Sequence, residues 1–357
     1  MTERVVVCMS GGVDSTVAAL LLKEAGHEVA GLTFWLWSFP NAPGNAARME
    51  RSVLDAASRA AAEVGIPHEI VDASDAFADL VVRDFVGRYR KGETPNPCSR
   101  CNRLLRFGRA LDYARENGFD AVATGHHVRV TREADGLLAL RRGTDRSKDQ
   151  SYFLYGLGQY ELAALQFPVG DRTKNEVTQL ARRRSLSCIE LPESQDLCFA
   201  RNGDTSLLFE ASDFAPGPIV DLEGRRLGTH AGLPNYTVGQ RRGLGIPATE
   251  PLYVVDIDAT TNTLRVGGAS ELLRSKLTAV DASYVAGRPP DAGARVDAKI
   301  RYRSPASAAT FTPRSADRFS LAFGVPERAI TPGQIAAIYD EDRILGGGTI
   351  ARPSRNA

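Results

Sequence analysis

The apolar run Val5-Val6-Val7-Cys8-Met9 passes directly into Ser10-Gly11-Gly12-Val13-Asp14-Ser15, and this junction constrains the fold more than anything else in the chain. A run with no polar face predicts a strand buried on both sides of a parallel sheet. Val13, Val17, Leu20 and Leu21 then share one helical stripe, which predicts a helix ending near Gly26. A strand that turns on paired glycines into a helix gathers backbone N–H groups, serine hydroxyls and the positive end of a helix dipole at one point. Two glycines alone would make an ordinary capping turn. The whole six-residue string in this context argues for a phosphate cradle, and it is neither the Walker loop nor the G-x-G-x-x-G fingerprint.

The alternation continues with a strand at 27–34, a helix from about 48 to 64, a strand at Glu69-Ile70-Val71, a helix from about Asp75 and a strand at Ala121-Val122-Ala123. Strands alternating with helices predict an α/β, doubly wound parallel sheet with ligands at the carboxyl ends of its strands. After about residue 205 helical stripes give way to short alternating segments such as Leu252 to Ile257 and Thr263 to Val266. That texture predicts a small central module followed by a C-terminal β-barrel. The expected division is 1–204, 205–272 and 273–357, and a length of 357 residues allows two or three domains.

Charge and cysteine usage narrow the function classes. Lys+Arg 44 against Asp+Glu 43 leaves a net charge of +1, so any nucleic-acid site must be a local patch. Arg141, Arg142, Arg146 and Lys148 form one basic stretch, which suits either phosphates or a solvated face. No apolar run approaches the roughly 18 residues of a membrane span, and Met1-Thr2-Glu3-Arg4 opens no signal peptide, so a cytoplasmic protein without a membrane partner is expected. Cys8, Cys98, Cys101, Cys188 and Cys198 are odd in number and sparse, which argues against a disulfide scaffold and leaves reactive or metal-binding thiols open. Cys98 and Cys101 form a C-x-x-C in a loop stiffened by Pro95 and Pro97, with Arg103, Arg106 and Arg109 following at spacing three. Such a pair is half a zinc site, an iron–sulfur ligand pair, a redox dithiol or two ordinary cysteines. Cys198 follows Glu193-Ser194-Gln195-Asp196-Leu197 and would by itself be an ordinary core thiol.

The string at Ser10 to Ser15 resembles the signature of the PP-loop ATP pyrophosphatases, which cleave ATP between its α and β phosphates. With Thr94-Pro95-Asn96-Pro97, Cys101-Asn102, Thr124-Gly125-His126, Lys148 to Phe153, Ser194 to Phe199, Tyr236 to Gly245 and Thr331 to Gln334, the chain resembles the family of bacterial tRNA 2-thiouridylases over nearly its whole length. That resemblance implies an ATP- and Mg2+-dependent sulfurtransferase that replaces the C2 oxygen of a tRNA wobble uridine with sulfur. It implies ATP contacts from Met9, Ser10, Gly11, Gly12, Val13, Asp14, Ser15 and Thr16, with Phe34 and Gly125, and it gives Asp14 a part in catalysis.

By position in that family, Cys198 carries a persulfide and Cys101 attacks it, closing a Cys101–Cys198 disulfide. Arginine neighbours and a helix N-terminus predict a lowered thiol pKa. Cysteine at position 98 also resembles a subgroup in which Cys98, Cys101 and Cys198 ligate an iron–sulfur cluster that binds sulfide. The sulfur partner is accordingly a persulfide donor protein or sulfide. Contacts to tRNA are implied for Asn96, Pro97, Cys98, His126, Lys148, Asp149, Gln150, Arg301, Tyr302 and Gln334, while Cys8 and Cys188 receive no role. The competing readings are another PP-loop synthetase that adenylates a small molecule, and a non-catalytic zinc-containing RNA-binding protein.

Overall fold

A computed structural model of the chain describes residues 2–37, 45–191, 197–200 and 204–353. The motif at Glu193 to Asp196 lies outside them, apart from its last neighbours Leu197 to Phe199. The first region runs β1 (Arg4–Cys8), α1 (Val13–Glu24), β2 (Glu28–Trp35), α2 (Asn45–Val64), β3 (His68–Asp72), α3 (Ser74–Phe77), α4 (Arg83–Arg90), α5 (Pro97–Cys101), α6 (Phe107–Glu116), β4 (Ala121–Thr124), β5 (Val128–Arg132), β6 (Leu138–Arg142), α7 (Gln159–Ala163), β7 (Leu165–Gln166) and α8 (Lys174–Arg183). Its sheet is ordered β3-β2-β1-β4-β7 with every neighbouring pair parallel. The chain leaves β1 in one direction and returns to its other side as β4. The crevice at the carboxyl ends of β1 and β4 is therefore the topological switch point where α/β sheets bind ligands.

The apolar run of β1 explains its central place: Val5, Val6 and Val7 are fully buried. Val5 and Val7 join a core under α1, α2 and α8, while Val6 faces a second core. That second core holds Phe107, Leu140 and Tyr152 together with Ile335, Tyr339 and Ile344 from the far end of the chain. α3 and α4 are joined through a helical turn widened to π pitch at Ala78–Val82, and α5 and α6 through another at Asn102–Arg106.

β8 (Gly217–Val220), β9 (Arg226–His230), β10 (Tyr253–Asp258) and β11 (Thr263–Gly267) form a four-stranded sheet over Ile219, Tyr236, Val254 and Leu264. β12 (Leu273–Tyr284), β13 (Arg295–Lys299), β14 (Ser307–Ser315), β15 (Arg318–Arg328), β16 (Ile335–Asp340) and β17 (Arg343–Ile350) follow in the order β12-β15-β14-β13-β16-β17, and β12 also pairs with β17. This closes a six-stranded antiparallel barrel. The hairpin β5–β6, which the sequence reading did not identify, adds to its wall where Arg343 pairs with Arg141. Among the described residues no helix is long and apolar enough to cross a membrane.

Candidate active site

The cradle is built by backbone geometry. Gly11 has φ +76°, and a Cβ there would lie 2.8 Å from the backbone of Ala56 and Ala57 in α2, so only glycine lets the loop pass beneath that helix. Gly12 stands at the N-terminal end of α1 with no side chain capping it, which leaves the first helical N–H groups available to a phosphate. Ser15 Oγ accepts from Ser10 N at 3.2 Å and donates to Gly12 O at 3.2 Å, while Thr16 Oγ1 donates to Gly12 O at 2.8 Å. Met9 is buried, and its carbonyl accepts from Thr33 Oγ1 at 2.8 Å. Gly125 forms the other wall: a Cβ on it would be 2.5 Å from Asp14 C and Ser15 N, so the end of β4 rests against the start of α1. Phe34, near the end of β2, is half-buried between two apolar clusters.

Asp14 is the charged centre of this crevice. Its Oδ1 and Oδ2 accept from Lys174 Nζ at 2.7 and 2.8 Å, and His127 Nε2 lies 3.1 Å from Oδ1. Burial pushes its carboxyl up, but the hydrogen bonds from His127 and Lys174 outweigh this and hold it below its ordinary value. An ionised carboxylate only accepts, so His127 donates from Nε2, and its buried Nδ1 has no partner among the described residues. Gln150 Oε1 accepts from His127 N at 2.9 Å and fixes that backbone. Lys174 and His127 were not singled out from sequence. The doubled histidine after Thr124-Gly125 was the available signal for His127, and Lys174 carried none beyond its rarity among the basic residues.

Four thiols gather around Arg106. α5 begins with Asn96 Oδ1 accepting from Ser99 N at 3.2 Å and Pro97 in its first turn, which places Cys98 and Cys101 on successive turns. The π-pitch turn that follows carries Arg106 into the protein, where its charge acts on Cys101, Cys8, Cys198 and Cys98. Cys198 arrives because Phe199 packs edge-on to Phe77 at 5.7 Å and Phe85 at 5.2 Å, in the apolar cluster that also contains Cys101. Contrary to the expected lowering, burial pushes the thiols of Cys8 and Cys98 up to about 11 and raises that of Cys101, and Arg106 offsets only part of this. Cys101 is 6% exposed, whereas Cys198 is exposed. Cys188 is buried in the core under α1.

The same arginine lowers His126, which joins the thiols to the cradle. Burial and then Arg106 bring the His126 imidazole down to about 3, so it is neutral at physiological pH. His126 is 8% exposed, bonded to Thr124 Oγ1 at 2.8 Å and packed against Phe107. Asp149 is buried and accepts from Ser151 N at 3.1 Å and Ser151 Oγ at 3.0 Å. Lys148 precedes it in the same turn. Arg301 donates to the carbonyls of Arg328 and Ala329, and Tyr302 packs tilted against Phe153 with ring centroids 4.4 Å apart. Gln334 Nε2 donates to Thr94 O at 2.8 Å. In the basic stretch, Arg141 pairs with Glu133 and Asp342, and Arg142 lies 3.9 Å over the Tyr339 ring.

The arrangement can bind a nucleotide by its phosphates and hold thiols next to it. Among the described residues no three His, Cys, Asp or Glu side chains are grouped so as to hold a metal ion. Magnesium retains several waters and binds through one or two carboxylates plus substrate phosphates, so Asp14 suits an ion arriving with a nucleotide. Cys98, Cys101 and Cys198 around the Arg106 cation do not, in this arrangement, make a cluster site.

Cradle, switch point and thiols together define the class: an ATP-dependent PP-loop enzyme. Residues 3–202 match the family described as tRNA methyl transferase HUP domain, residues 206–268 its PRC-barrel domain, and residues 274–350 the aminomethyltransferase β-barrel domain. The chain is 44% identical to the tRNA-specific 2-thiouridylase MnmA of Chloroflexus aurantiacus over 98% of both chains. It is 44% identical to that of Moorella thermoacetica over 96% of this chain and 98% of the relative. It is 43% identical to that of Synechococcus sp. (strain ATCC 27144 / PCC 6301 / SAUG 1402/1) over 99% and 98%. The chain belongs to the tRNA-specific 2-thiouridylase family.

Proposed function

We propose that this chain is a tRNA-uridine 2-sulfurtransferase acting on the wobble uridine, with ATP activating the oxygen that sulfur replaces. The observation that carries the mechanism is the placement of Arg106, whose charge reaches both the thiols and His126 beside the phosphate cradle. Methyl transfer, the word in the family descriptions, would need neither a pyrophosphatase loop nor paired thiols.

The uridine O2 attacks the α-phosphorus of ATP, and pyrophosphate leaves from the loop Met9 to Thr16. Phe34 and Gly125 flank the nucleotide. Asp14 is the carboxylate that would hold a magnesium ion arriving with ATP, an ion that would neutralise phosphate charge, and Lys174 beside it supplies a cation for the departing phosphates. A donor protein passes its terminal persulfide sulfur to Cys198. That sulfur attacks C2 and AMP leaves with the former carbonyl oxygen. The Cys101 thiolate then attacks Cys198 Sγ, so the S–S bond breaks toward the uridine sulfur and a Cys101–Cys198 disulfide forms. The raised thiols make an activating charge necessary, and Arg106 is the cation in place.

Asn96, Pro97, Cys98 and His126 are assigned to the target base, and Lys148, Asp149, Gln150, Arg301 and Tyr302 to the tRNA around it, where an unpaired base is read by its edges and stacked. Catalysis belongs to residues 1–204, and the barrel at 273–357, beyond the central module at 205–272, contacts tRNA; the protein acts in the cytoplasm.

The test uses protein purified anaerobically, mixed with tRNA, magnesium ATP and either sulfide or a persulfide donor, with 2-thiouridine quantified by mass spectrometry and iron by metal analysis. Thiouridine formed only with the persulfide donor, without iron, is expected. Thiouridine from free sulfide with iron bound would replace the disulfide route by a cluster on Cys98, Cys101 and Cys198. ATP cleavage with no thiouridine under either condition would return the chain to the small-molecule synthetases.

A further inference from the structure

The loop that carries Cys98 and Cys101 is held by the barrel. Gln334 Nε2 donates to Thr94 O at 2.8 Å and reaches Pro95 O at 3.5 Å, and Thr94 N donates to Pro332 O at 2.8 Å. Gly333 has φ +90°, and a Cβ there would stand 3.0 Å from Glu93 Cβ and from Thr94 N and C, so the two backbones meet face to face. The turn is itself rigid. Gly333 N donates to Ile350 O at 2.9 Å, Ile350 N donates to Gln334 O at 2.7 Å, and Thr331 Oγ1 donates to Ala329 O at 2.9 Å. The central module supports the loop from another side, since Thr94 Oγ1 donates to Thr237 Oγ1 at 3.4 Å while Gln240 Oε1 accepts from Thr237 N at 3.0 Å.

Little slack separates this contact from the thiols. Pro95 and Pro97 each have φ fixed by the ring, and Asn96 between them is committed to capping α5. A displacement of Thr94 is therefore transmitted to Cys98 and Cys101 with few soft dihedrals to absorb it. The sequence resemblance gave Gln334 to tRNA, but its amide donor is spent on the protein's own loop.

We infer that Gln334, with the turn Thr331 to Gln334, is a positioning residue for sulfur transfer: the barrel sets where Cys101 stands relative to Cys198. The inference rests on Cys101 being the attacking thiol, as proposed above. Because both acceptors on the loop are carbonyls, the position needs a side-chain donor, which the Gln334 amide nitrogen supplies.

The experiment compares steady-state thiolation, with a dithiol reductant present to reopen the Cys101–Cys198 disulfide after each turnover, by the full-length wild type and by Gln334→Met, Gln334→Lys, Gly333→Ala and Cys101→Ser, each first checked to be folded at the assay temperature. Gln334→Met removes the donor at nearly constant volume, and Gly333→Ala pushes on Thr94 without removing any group that tRNA contacts. Both are expected to lower kcat about 10- to 100-fold, the scale of an ångström-level misplacement, with KM for tRNA changed less than about twofold. Gln334→Lys keeps a donor and is expected to recover most of kcat. A rise in KM for tRNA at unchanged kcat in Gln334→Met, or wild-type kcat in both Gln334→Met and Gly333→Ala, would overturn the inference while leaving the sulfurtransferase intact. Lysine no better than methionine, in folded protein, would assign Gln334 another task. Thiouridine formation by Cys101→Ser would instead remove the role of Cys101, and the inference with it.

Discussion

At the residue scale, the site is a balance between burial and charge. Asp14 is kept ionised by Lys174 and His127 against the cost of desolvation, so the loop presents a carboxylate already committed to two cationic or donor partners. Asp14→Asn removes that charge and is expected to slow pyrophosphate release about 100-fold, with tRNA affinity measured by filter binding nearly unchanged. Lys174→Ala should slow the same step by about tenfold or more. The thiols move the other way. Cys8 and Cys98 ionise near 9.0 in an unfolded chain but near 11 in the fold. Between those values the unfolded state has released protons that the folded state retains, so stability is full below about pH 9 and declines as pH rises toward 11. Urea denaturation should show this decline, and a Cys8→Ala/Cys98→Ala variant should lose part of it. Asp14 and the glycines were legible in the sequence because their chemistry is local. The thiol values were not: local neighbours suggested activation, and burial by residues far along the chain reversed it.

At the element scale, strand and helix periodicity identified β1, α1, β2 and β4 close to their observed limits. The helix carrying the thiols was harder to see. Arg103, Arg106 and Arg109 at spacing three look like one exposed stripe, but the π-pitch turn at Asn102–Arg106 shifts the register, so Arg103 and Arg109 stay exposed while Arg106 turns inward. No residue type marks such a turn, because it is stabilised by what it packs against. The β5–β6 hairpin escaped for the same reason: its basic residues look solvated until Asp342 meets them. Gly11→Ala tests a contact of the glycine turn that the structure adds to the predicted cradle. With φ +76° and α2 backbone 2.8 Å from the new Cβ, it should cost about 1–3 kcal/mol in thermal or chemical unfolding and abolish ATP cleavage.

At the scale of the whole molecule, the first and last regions share one core. Tyr152 donates to Ile335 O at 3.1 Å, and both lie in the cluster that also contains Val6. Asp342 receives Arg141 NH1 at 2.5 Å and Arg129 NH2 at 2.8 Å, pinning the β5–β6 hairpin to the barrel. Asp342→Ala removes the carboxylate that Arg129 and Arg141 share, leaving Arg141 only Glu133, and is expected to lower the stability of the joint by about 1–3 kcal/mol. Calorimetry should then separate barrel unfolding from that of the parallel sheet, whereas the wild type, with its shared core, is expected to melt as one unit.

The sequence by itself determined the parallel sheet, the phosphate cradle, the barrel and the kinship of the chain, because these follow from short-range patterns: apolar period, glycine placement and ordered motifs. Only the tertiary structure decided that Arg106 stands among the thiols, that Lys174 meets Asp14 from 160 residues away, and that a barrel turn holds the Thr94 loop. Those are contacts between groups distant in sequence, set by how packed cores bring elements together, and local pattern carries no record of them.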